Sequence, residues 1–290
     1  MQQRLILSIY RLYKFREVDT NSLAALANAE LWFSSKEDFN DPFEGTLILD
    51  ESLDESDYQL WRDNVDWTME IDPQDKGFVQ LCESLSLNPS TTDEKLLILE
   101  GLRSDLGVLT KIIHESKFLC LSQRDQTTDP IYENLMWSHY AQGLRGFCLV
   151  FNNDGLQKDI NKASKKRMRG IKILYQDQPN KISLSEYLRS DMWINENRQE
   201  YIQTVTETIA TKSSAWKYEN EMRIMTLDSQ ANAYNYSPET LEEIVLGEKM
   251  PQRHKELVLS IAKSKYPHAK IKIARIIPNT YNIEIIDSVA

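Results

Sequence analysis

Glycine is scarce in this chain, with nine among 290 residues. No glycine-rich loop of the dinucleotide-binding or P-loop kind is present, so a nucleotide cradled in either of those ways is not expected. Cysteine is sparser still. Cys82, Cys120 and Cys148 are odd in number and widely spaced, which suits neither a disulfide framework nor a zinc knuckle and points to a reducing cytoplasm. His114, His139, His254 and His268 have no partner at metal-ligand spacing, and no serine sits in a G-x-S-x-G elbow. A metalloprotease centre and a Rossmann cofactor site therefore lack their parts. No stretch reaches the ~18 consecutive apolar residues that cross a bilayer. Leu5-Ile6-Leu7 near the start is too brief for a signal-peptide core. The expectation is a cytoplasmic protein with no membrane anchor.

What is present is an ordinary globular composition, 41% hydrophobic and 27% charged, with 44 acidic against 34 basic side chains and a net charge of −10. That balance argues against a protein that coats nucleic acid with its whole surface, while leaving room for a local basic stripe. The length permits one large domain or a core with an insertion. Leu12 to Phe15 reads as a strand, and Asp19-Thr20-Asn21 as the cap of a helix carrying Leu23, Leu26 and Ala27 on one face. Leu31 to Phe33 is a short strand. Ser34 to Glu44 is an ordered loop, Asn40-Asp41-Pro42 being turn chemistry between Phe39 and Phe43, two rings expected to be buried. Leu47 to Ser116 has helical spacing around Trp61, Trp67 and the Leu96-to-Leu102 cluster, so a helical insertion is predicted at about 47–116 within a single α+β domain of residues 1–290.

Alternation resumes at Phe118 to Ser122, followed by a short helix with Asn134, Met136, Trp137 and Tyr140, and a nearly continuous apolar strand from Gly146 to Phe151. Residues 157–172 reverse the sign of the chain, with Lys158, Lys162, Lys165, Lys166, Arg167, Arg169 and Lys172 against Asp159. The stretch reads as a solvated loop before a strand at Ile171 to Tyr175, with phosphate contact as the other reading. Helix Ser183 to Ile209, strands Met222 to Leu227 and Glu243 to Gly247, helix Pro251 to Lys265, and strands Lys270 to Ile276 and Tyr281 to Ile286 complete the chain.

Four short blocks interleave aromatic and polar residues: Leu12-Tyr13-Lys14-Phe15; Trp32-Phe33-Ser34-Ser35 through Phe39-Asn40-Asp41-Pro42-Phe43-Glu44; Met136-Trp137-Ser138-His139-Tyr140 through Arg145-Gly146; and Trp216-Lys217-Tyr218-Glu219-Asn220-Glu221-Met222-Arg223. Together they resemble the bacterial and archaeal domain-of-unknown-function family 2971, with its F-N-D-P-F-E loop, M-W-x-x-Y helix and W-x-Y-E-x-E-x-R segment. The order of elements is in turn similar to the ADP-ribosyltransferase fold, a likeness of fold alone. It implies an α+β protein with a split mixed β-sheet core, NAD lying in the cleft of that sheet as a possible substrate, and no metal. Such chemistry would suit bacterial stress, toxin or phage defence.

On that resemblance Glu221 holds the nicotinamide ribose and stabilises the cationic sugar, as a carboxylate does for an oxocarbenium-like transition state in glycoside cleavage. Glu219, two residues away and on the same face if the segment is extended, activates an acceptor from a protein or nucleic acid. Tyr13, Lys14, Asn40, Trp137, Tyr140, Arg145 and Arg223 are the candidate cofactor-binding set, with Tyr13 and Tyr140 as walls and Arg223 and Arg145 as anion partners. Each has a plainer alternative. Glu221 and Arg223 form an ion pair on a strand; Tyr13, Trp137 and Trp216 are core aromatics; Asn40 and Asp41 shape a turn with Glu44 outside; His139 is a satisfied polar residue. Two competing functions stay open: a metal-dependent nuclease using Asp41, Glu44, Glu219 and Glu221, and a non-catalytic module whose insertion, with ten acidic and two basic residues from Asp50 to Lys76, faces a partner protein.

Overall fold

The computed structural model describes residues 11–64, 71–165, 168, 170–190, 207, 210–226 and 232–288, the side chains of 109, 110, 112 and 113 excepted. Its elements in chain order are β1 (Arg11–Arg16), α1 (Thr20–Asn28), β2 (Glu30–Trp32), β3 (Ser34–Ser35), β4 (Leu47–Asp50), α2 (Glu55–Asn64), α3 (Lys76–Ser84), α4 (Glu94–Glu115), β5 (Lys117–Gln123), α5 (Asn134–Tyr140), β6 (Phe147–Asn152), α6 (Asn153–Ser164), β7 (Gly170–Lys172), β8 (Leu174–Gln176), β9 (Asn180–Ser183), α7 (Leu184–Leu188), β10 (Thr211–Ser213), β11 (Glu221–Thr226), β12 (Ala233–Asn235), β13 (Leu241–Gly247), α8 (Gln252–Lys265), β14 (Lys270–Ile276) and β15 (Ile283–Asp287). They fall into two compact units. The first takes Met1–Asn40, Ser116–Tyr175 and Ser213–Ala290, the second Asp41–Glu115 and Gln176–Lys212.

The first unit is α+β. Its mixed sheet runs β15-β14-β13-β6-β1-β5-β11-β7, with β3 also paired to β5. Every pairing is antiparallel except β13 with β14, where α8 provides the crossover that parallel strands require. Side-chain alternation sorts each strand onto two cores. Leu12, Leu119, Leu121, Phe147, Leu149 and Phe151 face one core with Leu26 of α1, Leu156 and Ile160 of α6, and Val258 of α8. Tyr13, Phe15, Cys148, Val150 and Val245 face the other, with Met136 and Trp137 of α5. Central strand β6 is buried on both faces from Phe147 to Phe151, as its continuous apolar run predicts.

Asp19 caps α1, accepting from the Ser22 N–H, and Ala29 ends it in a left-handed conformation with φ of 55°. The buried face is Ser22, Leu26 and Ala29; Ala27, expected on the stripe, is exposed. The basic stretch begins in a helix rather than a loop. Asn152 caps α6 through the Gly155 N–H, and Leu156 and Ile160, four residues apart, bury its inner face while the lysines stay outside. Charge concealed that apolar spacing. Lys166, Arg167 and Arg169 lie outside the described residues, as do Trp67, Leu227 and most of the predicted Ser183-to-Ile209 helix, of which α7 is described. Pro251 stands at the N-cap of α8 rather than in its first turn.

The second unit joins two stretches of chain, where periodicity marked only 47–116. Its insertion opens with a strand, β4, paired in parallel with β9 from Leu47↔Asn180 to Asp50↔Ser183. Phe78, Cys82 and Leu97 form its core. Asp57, 1% exposed, accepts from Arg189 Nη2 at 2.6 Å and Ser185 Oγ at 2.9 Å, which fastens α2 to the stretch around α7.

Candidate functional site

The sheet opens between β1 and β5. Strand β1 pairs with β6 over six positions, Arg11↔Asn152 to Arg16↔Phe147, but with β5 at only Leu12↔Gln123 and Tyr13↔Ser122. Further along, Phe118 and Lys117 of β5 pair instead with Ser34 and Ser35 of β3. Between these two pairings Lys14 reaches across, its Nζ donating to the Cys120 carbonyl at 2.5 Å. A lysine side chain occupies the place of a backbone ladder.

Burial, followed by repulsion from Arg16, lowers Lys14 to about 8 from the ordinary 10.5. Arg16, two residues along the same face, is lowered by burial too, with Asp19 its chief compensating charge. The carboxylates of Glu221 and Glu219 lie close enough to raise the proton affinity of Lys14. Arg16 did not stand out in the sequence; the K-x-R spacing on a strand, which puts two cations on one face, was the available signal.

The two glutamates do not share a strand face. Glu219 ends a 3₁₀ turn, Ser214–Glu219, and Asn220 follows in the left-handed region with φ of 41° before Glu221 opens β11. The Asn220 amide holds that corner, donating to the Gln123 carbonyl at 2.5 Å and to Asp125 Oδ2 at 3.1 Å. Asparagine tolerates this conformation through its short polar side chain.

Each glutamate has its own setting. Glu221 and Arg223 do share a face, buried, with Arg223 Nε to Oε1 at 2.7 Å and Nη2 to Oε2 at 3.0 Å. The guanidinium also stands 4.7 Å from the centre of the Phe39 ring, a cation–π contact. Glu219 is 3% exposed and accepts a short hydrogen bond from the Tyr140 hydroxyl, which in turn accepts from Asn40 Nδ2 at 2.7 Å. His139 Nδ1 lies 2.9 Å from the Tyr218 hydroxyl, and its ring packs edge-on against Tyr140, Trp216 and Tyr218.

Register puts Tyr13, Ser122 and Glu221 in one row across three strands. Even so, Tyr13 is 2% exposed, and burial together with a hydrogen bond to Asp129 raises its hydroxyl far above the usual range. Trp137 is equally buried, its Nε1 bonded to the Ile131 carbonyl at 2.7 Å and its ring edge-on to Phe15 at 5.2 Å. Both serve as core aromatics. Arg145 is exposed and donates to the Gln142 carbonyl at 3.2 Å. Thus Lys14, Asn40, Tyr140, Glu219, Glu221 and Arg223 surround the opening, while Tyr13 and Trp137 back it.

The rest of the F-N-D-P-F-E loop belongs to the second unit. Phe43, expected inside, is 75% exposed, and Glu44, expected outside, is 6% exposed. Glu44 lies 3.8 Å from Lys212, and Asp41 Oδ1 accepts from the Phe43 N–H at 3.0 Å. The turn thus directs the acid inward to a cation and the ring outward. Among the described residues no group of three or more His, Cys, Asp and Glu side chains could hold a metal ion, and no helix is long and apolar enough to cross a membrane.

Residues 136–224, from the Met136-Trp137 helix to β11, match the family model described as "Protein of unknown function (DUF2971)". Over that segment the chain is similar to DUF2971. The match includes the M-W-x-x-Y and W-x-Y-E-x-E-x-R blocks and stops short of the first strand and the F-N-D-P-F-E loop. No curated protein and no solved structure matches the chain. The DUF2971 segment supplies Tyr140, Glu219, Glu221 and Arg223 to the opening, and Lys14 and Asn40 come from the chain before it.

The depressed proton affinity of Lys14 has a measurable sign. Its charge is present below about 8 and lost above, so an anion held there is released as pH rises from 7 to 9.5. Between 8 and 10.5 the unfolded chain binds a proton that the folded chain does not, so stability from this group increases across that window. Calorimetric titration with pyrophosphate as a probe anion at the two pH values measures the first effect. The expected weakening is about tenfold, on the order of one charge-assisted hydrogen bond; equal affinity would show that Lys14 is not a ligand contact.

Proposed function

We propose that the first unit binds NAD or a closely related nucleotide at the opening between β1 and β5 and breaks its N-glycosidic bond, releasing nicotinamide and passing ADP-ribose to water or to an acceptor. What carries this reading is the bridging of that opening by Lys14 beside two buried carboxylates, Glu219 and Glu221. The order of elements, with a late glutamate at the head of a sheet strand, supports likeness to ADP-ribosyltransferases, and no glycine-rich loop is needed in such a site.

In this mechanism Lys14 and Arg16 take the pyrophosphate. The C1′–N bond breaks with its electron pair leaving on the ring nitrogen, so nicotinamide departs neutral and positive charge develops on the sugar. Glu221 stabilises that charge. Its bidentate pairing with Arg223 fixes the carboxylate in advance, leaving lone pairs for a ribose hydroxyl. Glu219, oriented by the Tyr140 hydroxyl, takes the proton from the attacking water or acceptor hydroxyl as the new C1′–O bond forms.

The test is nicotinamide release from NAD by wild type, Glu221→Gln and Glu219→Gln, with folding of each checked by thermal melting. Release by wild type and a loss of about 100-fold in Glu221→Gln are expected, the scale of a fixed electrostatic contact to the transition state. Glu219→Gln should lose transfer to the acceptor more than bond cleavage. Absence of release by folded wild-type protein, or equal rates in wild type and Glu221→Gln, overturns the reading.

A further inference from the structure

The first unit has a cavity of about 200 Å³ between α5, the turn at 142–144 and the loop from β14 to β15. Trp137, Leu144, Ile276 and Ile283 give it apolar walls, and Lys249, Ser138 and Asn282 bring polar groups to it. Its lining includes one cation and no carboxylate, in a chain with ten more acidic than basic side chains, 44 against 34. A pocket that excludes the commoner charge and keeps the rarer one is suited to an anion.

The backbone at its edge is unusual. Gln142, Gly143 and Leu144 have φ of 51°, 62° and 67° in succession. A leucine there costs on the order of 1–2 kcal/mol and persists only where its surroundings impose it. The surroundings do so: the Lys249 N–H donates to the Leu144 carbonyl at 3.0 Å, and Gly247 lies so close that a Cβ would stand 2.1 Å from that oxygen. The strained turn is thereby fastened to the residue that brings the cation. Opposite, Asn134 Nδ2 donates to the Tyr281 carbonyl, which ties the hairpin loop to α5 and leaves the Tyr281 ring 93% exposed at the rim.

We propose that this cavity is a binding site for a small planar organic anion, its carboxylate on Lys249 and its ring against the apolar lining. The site is independent of the nucleotide reading. Its volume is below the ~300–1,000 Å³ of pockets for drug-sized ligands, which limits the occupant to about a single ring.

Benzoate is the probe, with benzamide as its neutral analogue and benzylammonium as its cationic one, each titrated into ¹⁵N-labelled full-length protein. Saturable benzoate shifts at Gly143, Leu144 and Thr280 are expected, with at least fivefold weaker binding of benzamide and none of benzylammonium. Lys249→Gln, at an exposed position, should lower benzoate affinity at least fivefold and Lys249→Arg should restore it, with melting temperatures unchanged. Absence of saturable shifts at those residues, equal affinity for benzamide, or unchanged affinity in Lys249→Gln overturns the proposal. Because NAD is absent from the assay, none of these outcomes depends on nicotinamide release.

Discussion

Arg223→Met is expected to cost about 3–5 kcal/mol of stability, the range seen when one partner of a buried ion pair is removed. The side chains of Arg223 and Glu221 are 3% and 5% exposed and meet through two hydrogen bonds. Methionine keeps most of the aliphatic stem, so the loss is electrostatic: the Glu221 carboxylate remains buried without its guanidinium, and Phe39 loses the cation on its face. Urea unfolding measures the effect, and Arg223→Met combined with Glu221→Met separates its causes. Replacing both members removes the stranded charge, so the double variant should recover at least half of the loss. A single variant within about 1 kcal/mol of wild type would mean that water reaches the pair, and the case for a pre-fixed Glu221 would go with it.

Gly146→Ala is expected to be at least as damaging. A Cβ at Gly146 would stand 2.1 Å from the Arg16 carbonyl oxygen and 2.9 Å from Ala141 Cα. Both are backbone atoms and cannot rotate aside. The strands would have to separate where Arg16 pairs with Phe147, beside the two cations of the opening. A cost of more than about 4 kcal/mol follows, the size reserved for a named defect of this kind. Insoluble expression or a melting temperature lower by 10 °C or more, on the scale of ~2–4 °C per kcal/mol for a protein of this size, is the expected result. A folded variant within about 2 °C of wild type would show that β1 and β6 can part at little cost.

Much of the frame was legible from local pattern. Alternation in Leu12-Tyr13-Lys14-Phe15 and in Phe118 to Ser122 marked β1 and β5, and the unbroken apolar run after Gly146 marked a strand buried on both faces. The W-x-Y-E-x-E-x-R block located the acids. Its geometry was not legible, because a strand alternates only while the backbone stays extended, and Asn220 in the left-handed region separates Glu219 from Glu221. The F-N-D-P-F-E turn was recognisable as a turn, while the burial of Glu44 and exposure of Phe43 depend on Lys212, more than 160 positions away in the sequence. Likewise, α6 was hidden because seven cations in 157–172 outweighed Leu156 and Ile160, whose burial depends on a sheet built from distant segments.

Composition and order alone determined an α+β chain without a glycine-rich cradle, the strands that carry its cations and acids, and the DUF2971 blocks. Only the tertiary structure decided that β1 leaves β5 after two residue pairs, that Lys14 spans the space beside Arg16, and that Glu221 is held by Arg223 while Glu219 is held by Tyr140. Periodicity records how each residue relates to its near neighbours along the chain. The charge state, burial and partner of a side chain are set by segments that meet only after folding, and no local pattern encodes those meetings.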